Sequence, residues 1–594
     1  MERSPVKRSW FILAGVFVIL CAMLVIEITT SLQESQTIDE SVHLAAGLSY
    51  LTTGDFRMNP EHPPFIKMLA ASPLLFTNAT LPIADPSWKE VKQWVFATRF
   101  LYHNALSPDT LLLLGRLPIM LLSIVLGWFI FRESRRMFGI FGGLLSLGLF
   151  AFEPSIIAHS RLVTTDLGFA AASFLALVRL ERLFRTPTRR NAIWFAVALW
   201  VAMVTKFSFF AFAIALLGTF LLLKWYQPTN LSVQWRHVRR FLGWSLLIGV
   251  FATWAVYCFT IKRPINDPKI SQLYAQRQHF LAHGDVDQFG VLGKLVVNQL
   301  GNPSTSIGRL AIRLEQVPIP LYAFFRGGIS VLGHSYGGQW SFLLGQVRDL
   351  GWWYYFPVAL FAKTSPSMLA AFLLVPTAFV TLVVQERKKQ GRILAALRAI
   401  DHRWIVYGVT PIIFFLISMN THLNLGWRHI LPIYPPLLVL AGSLSALPWV
   451  RSRRSAVIIP LVLIAGSIAT EAATYPNQIG YFSPFVGGNG NGYNILRDSN
   501  LDWGQDLKKL STYLRQHHAP TVAIAYYGNT ELSAYLPNPQ KLPTTAERAK
   551  TGQPHGYVAL SGENLYSTSG NYDWIKAYPQ IAQLGSSIFV FWVR

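Results

Sequence analysis

The chain reads as an all-α polytopic membrane protein of about eleven transmembrane helices, with a small α/β domain at its C-terminal end. Three observations predict this: long apolar blocks, a one-sided placement of Arg and Lys, and a change of periodicity after residue 471. Of 594 residues, 52% are apolar and only 14% charged, against about 25% charged in an ordinary soluble domain. A chain that apolar cannot cover a water-facing surface.

The apolar residues are gathered into blocks near 10–31, 108–131, 140–158, 166–180, 191–204, 206–223, 241–260, 366–385, 404–419, 430–450 and 455–471. About 20 apolar residues cross a bilayer. Phe11–Thr30 meets that length with one acid, Glu27. It is too long, and lacks the small-residue cleavage site, for a removed signal peptide.

Net charge is +23, which in a soluble protein would point to nucleic acid. Its distribution gives a different reading, with no nucleic-acid partner. With the N-terminus in the cytoplasm, the inward segments hold 23 basic residues, among them Arg132, Arg135, Arg136, Arg387, Lys388 and Lys389. The three short outward loops hold three: Arg161, Lys206 and Arg428. Basic residues stay on the cytoplasmic side of membrane proteins, so this asymmetry sets the orientation. Cys21 and Cys258 both fall in apolar blocks, which leaves no disulfide framework outside.

Three large segments then face outward, 32–107, 261–365 and 472–594, the first two as loops of a membrane domain spanning 1–471. In the last, short β-rich runs (Thr521–Tyr527, Tyr557–Leu560, Ser587–Val593) flank polar helical stretches such as Asp506–His517, the signature of a small α/β domain. Before it, Gly487–Gly492 reads as a loop.

Chemistry needs ordered polar groups, and they cluster on the outward side. Asp39 and Glu40 follow the first membrane helix, and a carboxylate just above the bilayer can act as general base on a hydroxyl. Glu61 and His62 precede two prolines. Asp166 stands at the mouth of a membrane helix, where it also suits an N-cap. Lys206, Lys363, Arg428 and His429 lie near the outer membrane face. Snorkelling explains one such cation; several together call for an anionic partner such as a lipid phosphate.

Ile-Asp39-Glu40, Glu61-His62-Pro63-Pro64, Arg161-Leu-Val-Thr-Thr-Asp166, Lys363-Thr-Ser-Pro and Arg428-His429-Ile-Leu-Pro-Ile-Tyr434-Pro-Pro together resemble the polyprenol-phosphate-sugar glycosyltransferases of the GT-C class. The similarity is to bacterial relatives of protein O-mannosyltransferases and of the lipid A aminoarabinose transferase, the glycosyltransferase family 39 type. The tail Asp498-Ser-Asn-Leu-Asp502-Trp503-Gly-Gln-Asp506 is similar to bacterial members with an outward C-terminal domain. The aminoarabinose branch has Glu-Lys-Pro-Pro where this chain has Glu61-His62-Pro63-Pro64, and His is not a permanent cation.

The resemblance implies a multi-pass enzyme of the plasma (inner) membrane and cell envelope. It would move a sugar from a polyprenyl-phosphate carrier to a hydroxyl of a protein, lipid or polysaccharide, with inversion, as in protein O-glycosylation. Asp39 is then the expected base, with Glu40 and Asp166 as further catalytic acids, Asp166 orienting acceptor or donor; Lys206, Lys363, Arg428 and His429 are expected at the donor phosphate. Glu61 and His62 are expected at substrate or as ligands of a divalent metal, although two adjacent residues do not make a site. A lipid or glycan transporter is the rival class. It would show repeated halves or helices broken at mid-membrane, and neither stands out; a scaffold would leave the acids dispensable. The orientation has a direct test: a reporter fused after Arg594 is expected outside the cytoplasm, and a cytoplasmic signal would reverse every loop assignment.

Overall fold

The computed structural model describes residues 5–226, 234–267, 304–446 and 455–594. Arg3, Arg451, Arg453 and Arg454, the end of block 430–450 and part of the outward segment 261–365 lie outside the described residues.

All eleven apolar blocks carry helix. Among the described residues, five helices are long and apolar enough to span a membrane alone, and seven spans result if each of two bent pairs counts as one. Blocks 108–131 and 140–158 meet in one helical run, Pro108–Ala151, broken at Gly139 with φ 77° and ψ −171°. Glycine alone adopts such a backbone without strain. Pro154–Ser160 and Thr165–Arg185 meet at a 105° bend, and the break between them carries Arg161 and leads to Asp166.

Charge sorts the two ends of this bundle. Glu133 accepts from Arg136 at 2.7 Å and Arg182 at 3.1 Å, and Arg403 reaches the carbonyl of Arg136 at 3.5 Å. Three of the segments read as inward, around Arg136, Arg182 and Arg403, therefore gather at one end. Asp166 starts the 21-residue helix that carries Arg182 near its other end. At about 1.5 Å per residue, the two lie some 25 Å apart.

The segment after the first helix, read as outward from the sequence, folds back onto the bundle. Helices Ile38–Thr53 and Phe65–Ala71 pack so closely that a Cβ on Gly47 would stand 2.0 Å from the Lys67 carbonyl oxygen. Lys67 is buried and donates to Asn59 O at 2.7 Å, Asn59 Oδ1 at 3.0 Å, His62 O at 2.7 Å and Tyr50 Oη at 3.0 Å. It pins the turn that presents Glu61 and His62.

At the C-terminal end, a five-stranded sheet runs in the order Pro539–Lys541, Val522–Ala525, Gly556–Ser561, Ile588–Val593, Gln580–Leu584. The first three strands are mutually parallel and the last two pair antiparallel. Alternate residues of a strand face opposite sides. Val522, Ile524, Ile588 and Val590 pack on Leu507, Leu510 and Leu514 of helix Leu507–Gln516, while Ala523, Val558, Phe589 and Phe591 join the core shared with the membrane helices. Both faces of the central strands are covered, which accounts for their unbroken apolar runs. The sequence reading found the three central strands and missed the edge strands, which are short, polar or proline-bearing.

Candidate functional site

A cavity of about 410 Å³ opens between one set of helix ends and the C-terminal domain. Asp39, Glu61, His62, Lys206, Arg428 and His429, six of the nine expected site residues, line it. They come from four separate stretches of chain.

Asp39 sits in the first turn of helix Ile38–Thr53, as Asp166 does in Thr165–Arg185. The amide dipoles of a helix start favour negative charge there. Both carboxylates converge on one guanidinium: Arg428 Nη1 donates to Asp39 Oδ2 at 3.0 Å and to Asp166 Oδ2 at 3.4 Å. The other oxygen of Asp166 accepts from Lys206 Nζ at 2.5 Å. Asp166 does not itself line the cavity and acts on it through these two cations. Arg428 also lies over the Trp503 ring, 4.4 Å from its centroid, and Trp503 belongs to the C-terminal tail motif.

The donors of this quartet are only partly used. Asp166 is the one protein acceptor of Lys206 Nζ, and Arg428 Nε has no hydrogen-bond partner, among the described residues. Ammonium offers three donors and guanidinium five, so capacity remains for an anion entering the cavity.

Glu40, one residue from Asp39, points elsewhere. Its carboxylate accepts from Arg116 at 2.6 and 2.8 Å, from Val163 N at 3.0 Å and from Thr37 N at 2.9 Å. The last bond is the return half of a capping box, which Thr37-Ile-Asp-Glu40 announces in the sequence. Burial works to raise its pKa, but Arg116 and the hydrogen bonds prevail and hold it below the usual carboxylate range. Glu40 is thus a strut between the 34–40 segment and the bundle.

Lys363, expected at the phosphate, is buried away from the cavity. Its three N–H groups go to the carbonyls of Ile479, Tyr481 and Asn500 at 2.9, 2.5 and 2.7 Å. It clamps the segment leading into the tail motif and has no donor left for a ligand. Arg161 turns both terminal nitrogens to buried Glu34, away from the cavity, and its Nε has no partner among the described residues.

His62 and His429 are neutral imidazoles. Burial is the main cause holding each well below the usual histidine range, with Lys206 among the charges that add to it. His429 therefore brings a neutral hydrogen-bonding group rather than a cation. Glu61 accepts from Asn59 Nδ2 at 3.2 Å. Among the described residues no group of three or more His, Cys, Asp or Glu is placed to hold a metal. Glu61 and His62 alone fall short of the ligand number a structural or catalytic zinc uses.

Several cavity residues were not among the nine expected site residues. His43 lies four residues after Asp39 on the same helix, the spacing that puts two side chains on one face; its Nδ1 is 2.8 Å from the Val163 carbonyl. Asp498 and Tyr527 come from the C-terminal domain, and nothing local in Tyr527 marks it. The docking behind them is backbone to backbone: Ser35 N donates to Gln505 O at 2.9 Å and Ile38 N to Trp503 O at 3.1 Å.

A helical polytopic protein with a polar cavity built on paired acids and cations is the class this geometry defines. Residues 110–260, which carry Arg161, Asp166 and Lys206, match the family of dolichyl-phosphate-mannose-protein mannosyltransferases. The match is confined to that segment, and its family is of the class that the five motifs resemble. No curated protein matches the chain. Among solved structures, the chain is similar to ArnT from Cupriavidus metallidurans bound to undecaprenyl phosphate, with 12% identity, a TM-score of 0.44 and 97% of both chains covered. It is also similar to the oligosaccharyltransferase AglB from Archaeoglobus fulgidus in complex with an inhibitory peptide and a dolichol-phosphate, with 10% identity, a TM-score of 0.45, and 97% of this chain and 73% of that one covered.

The different duties of the adjacent acids make a prediction. Glu40→Gln leaves the Arg116 cation buried without its counter-charge, which costs about 3–5 kcal/mol. It is expected to lower the thermal unfolding temperature in detergent markedly, whereas Asp39→Asn, at a partly open position, is expected to leave it within a degree or two.

Proposed function

We propose that the chain transfers a sugar from a polyprenyl-phosphate carrier to an acceptor hydroxyl on the outer face of the membrane, with inversion at the anomeric carbon. The observation that carries this reading is the Asp39–Arg428–Asp166–Lys206 quartet at the cavity wall. A phosphate monoester leaves readily as an anion, so the reaction needs a base for the acceptor and cations for the leaving oxygen, with no strong general acid. Asp39 is the base; Lys206 and Arg428 receive the phosphate.

The acceptor oxygen attacks the anomeric carbon from the face opposite the phosphate. The carbon–oxygen bond to acceptor forms as the carbon–oxygen bond to phosphate breaks, and the acceptor proton passes to Asp39. Before the donor arrives, Arg428 is held by the two carboxylates. That pre-orients its guanidinium, so little reorganisation remains as charge grows on the leaving oxygen. A phosphate competing for Arg428 also loosens its hold on Asp39, which leaves that carboxylate freer to take a proton. Asp166 keeps Lys206 extended toward the same point. The positive-inside pattern supports an outward site and a cytoplasmic N-terminus, with 1–471 as the transferase domain and 472–594 as an extracytoplasmic domain.

Turnover and carrier binding separate the two roles. Asp39→Asn is expected to cut turnover by about 10²–10⁴-fold, the usual effect of losing a general base, while carrier affinity in nanodiscs changes little. Arg428→Ala, and Lys206→Ala to a lesser degree, are expected to weaken binding of undecaprenyl phosphate itself. Arg428→Lys restores charge without the planar fork and should recover only part. Wild-type carrier affinity in both alanine variants would remove the phosphate assignment, and full turnover in Asp39→Asn would remove the base.

A further inference from the structure

The tail motif 498–506 is a sequence feature that neither the base nor the phosphate site absorbs, and its first residue enters the cavity. Asp498 adopts φ 58°, a left-handed backbone that is strained for any residue but Gly and least so for Asn and Asp. Its place is fixed on both sides. Its N–H donates to Glu563 at 2.6 Å, and its carboxylate accepts from Ser499 N and, at 3.4 Å, from Tyr527 Oη. Ser499 Oγ in turn donates to the Leu425 carbonyl at 2.7 Å, three residues before Arg428. The strained turn is therefore docked rigidly against the quartet. Strain of this kind persists only where the surroundings over-determine it, and it concentrates at functional sites.

We propose that Asp498 and Tyr527 form the subsite that reads the hydroxyls of the transferred sugar, so that the C-terminal domain is part of the active site rather than a cap. This rests on the transferase reading above. A carboxylate repels phosphate, so this wall cannot hold the carrier headgroup, which belongs at Lys206 and Arg428. The single acceptor hydroxyl is taken by Asp39. The remaining polar surface of the substrate is the ring of sugar hydroxyls, each both donor and acceptor. A carboxylate beside a phenol supplies the matching pair: Asp498 accepts, and the Tyr527 oxygen, whose own proton points at Asp498, accepts while its ring limits the pocket. The charge of Asp498, with burial adding to it, raises the Tyr527 pKa, so the phenol keeps its proton. Trp94, 41% exposed at the same cavity, offers an aromatic face to the apolar side of a sugar ring. With Asp39, Glu61 and Asp498 all lining the cavity, an acidic sugar is excluded by like-charge repulsion.

The test compares bare and loaded carrier on the full chain in nanodiscs. The probes are undecaprenyl phosphate and undecaprenyl phosphate bearing mannose, glucose or aminoarabinose. The wild type is expected to bind one loaded form more tightly than the bare carrier. Asp498→Asn, which tolerates the left-handed backbone, and Tyr527→Phe, which removes one oxygen, are expected to keep the bare-carrier affinity. Each should lose about tenfold or more for the loaded form, the range of a hydrogen bond to a charged group. Variants that lose bare and loaded carrier equally would reduce the tail to a structural support. Variants that lose neither, or a wild type that prefers no loaded form, would also overturn the subsite. A wild type that fails to bind bare undecaprenyl phosphate would instead sink the transferase reading beneath it.

Discussion

The cavity end of this molecule is organised around one part-buried guanidinium. A cation out of water is tolerated only with counter-charges in good geometry, and Arg428 obtains them from the starts of two helices far apart in sequence. Asp39 and Asp166 meet on its Nη1, and Trp503 covers its face. Three parts of the chain must therefore be in place at once: the first outward segment, the bent helix pair and the C-terminal tail. The cavity exists where they meet.

Buried cations elsewhere show what separates a strut from a site. Lys67, Lys363, Arg116 and Arg161 all lie at the cavity's end of the bundle and are all largely enclosed. Lys67 and Lys363 are held by hydroxyl and carbonyl oxygens, Arg116 by Glu40 and the Ser31 and Ser35 carbonyls, and Arg161 by Glu34, so they position loops. Lys206 and Arg428 keep donors in reserve and face the cavity. The difference is one of position, since Arg161 Nε also lacks a partner among the described residues, but none of those four side chains lines the cavity. The same distinction splits Asp39 from Glu40: adjacent residues on a helix point about 100° apart, so one lines the cavity while the other closes a cap.

Much of this was legible in the sequence. Apolar blocks located the helices because a bilayer demands unbroken length. Six of nine expected site residues share one cavity because ionisable groups at an outer membrane face are rarely idle. The sequence was silent where the outcome depends on long-range partners. Lys363 looks free until residues 479, 481 and 500 supply its acceptors, and Asp166 looks like a cap until Lys206 and Arg428 arrive. The edge strand Gln580–Leu584 carries too little apolar periodicity to be seen. Tyr527 reaches the cavity through the sheet that carries it, which no local pattern reveals. The capping box at Thr37–Glu40 and the Asp39–His43 spacing were readable signals that separate the acids and add a cavity residue.

The account turns on where the carrier phosphate rests. A cryo-electron microscopy structure of the full chain in nanodiscs with undecaprenyl phosphate locates it directly. The account predicts phosphate oxygens about 2.7–2.9 Å from Lys206 Nζ and the Arg428 guanidinium, the range of charge-assisted hydrogen bonds, with Arg428 drawn away from Asp39. A phosphate held by other residues, with the Asp39–Arg428 pair intact and Lys206 still turned to Asp166 alone, would contradict it.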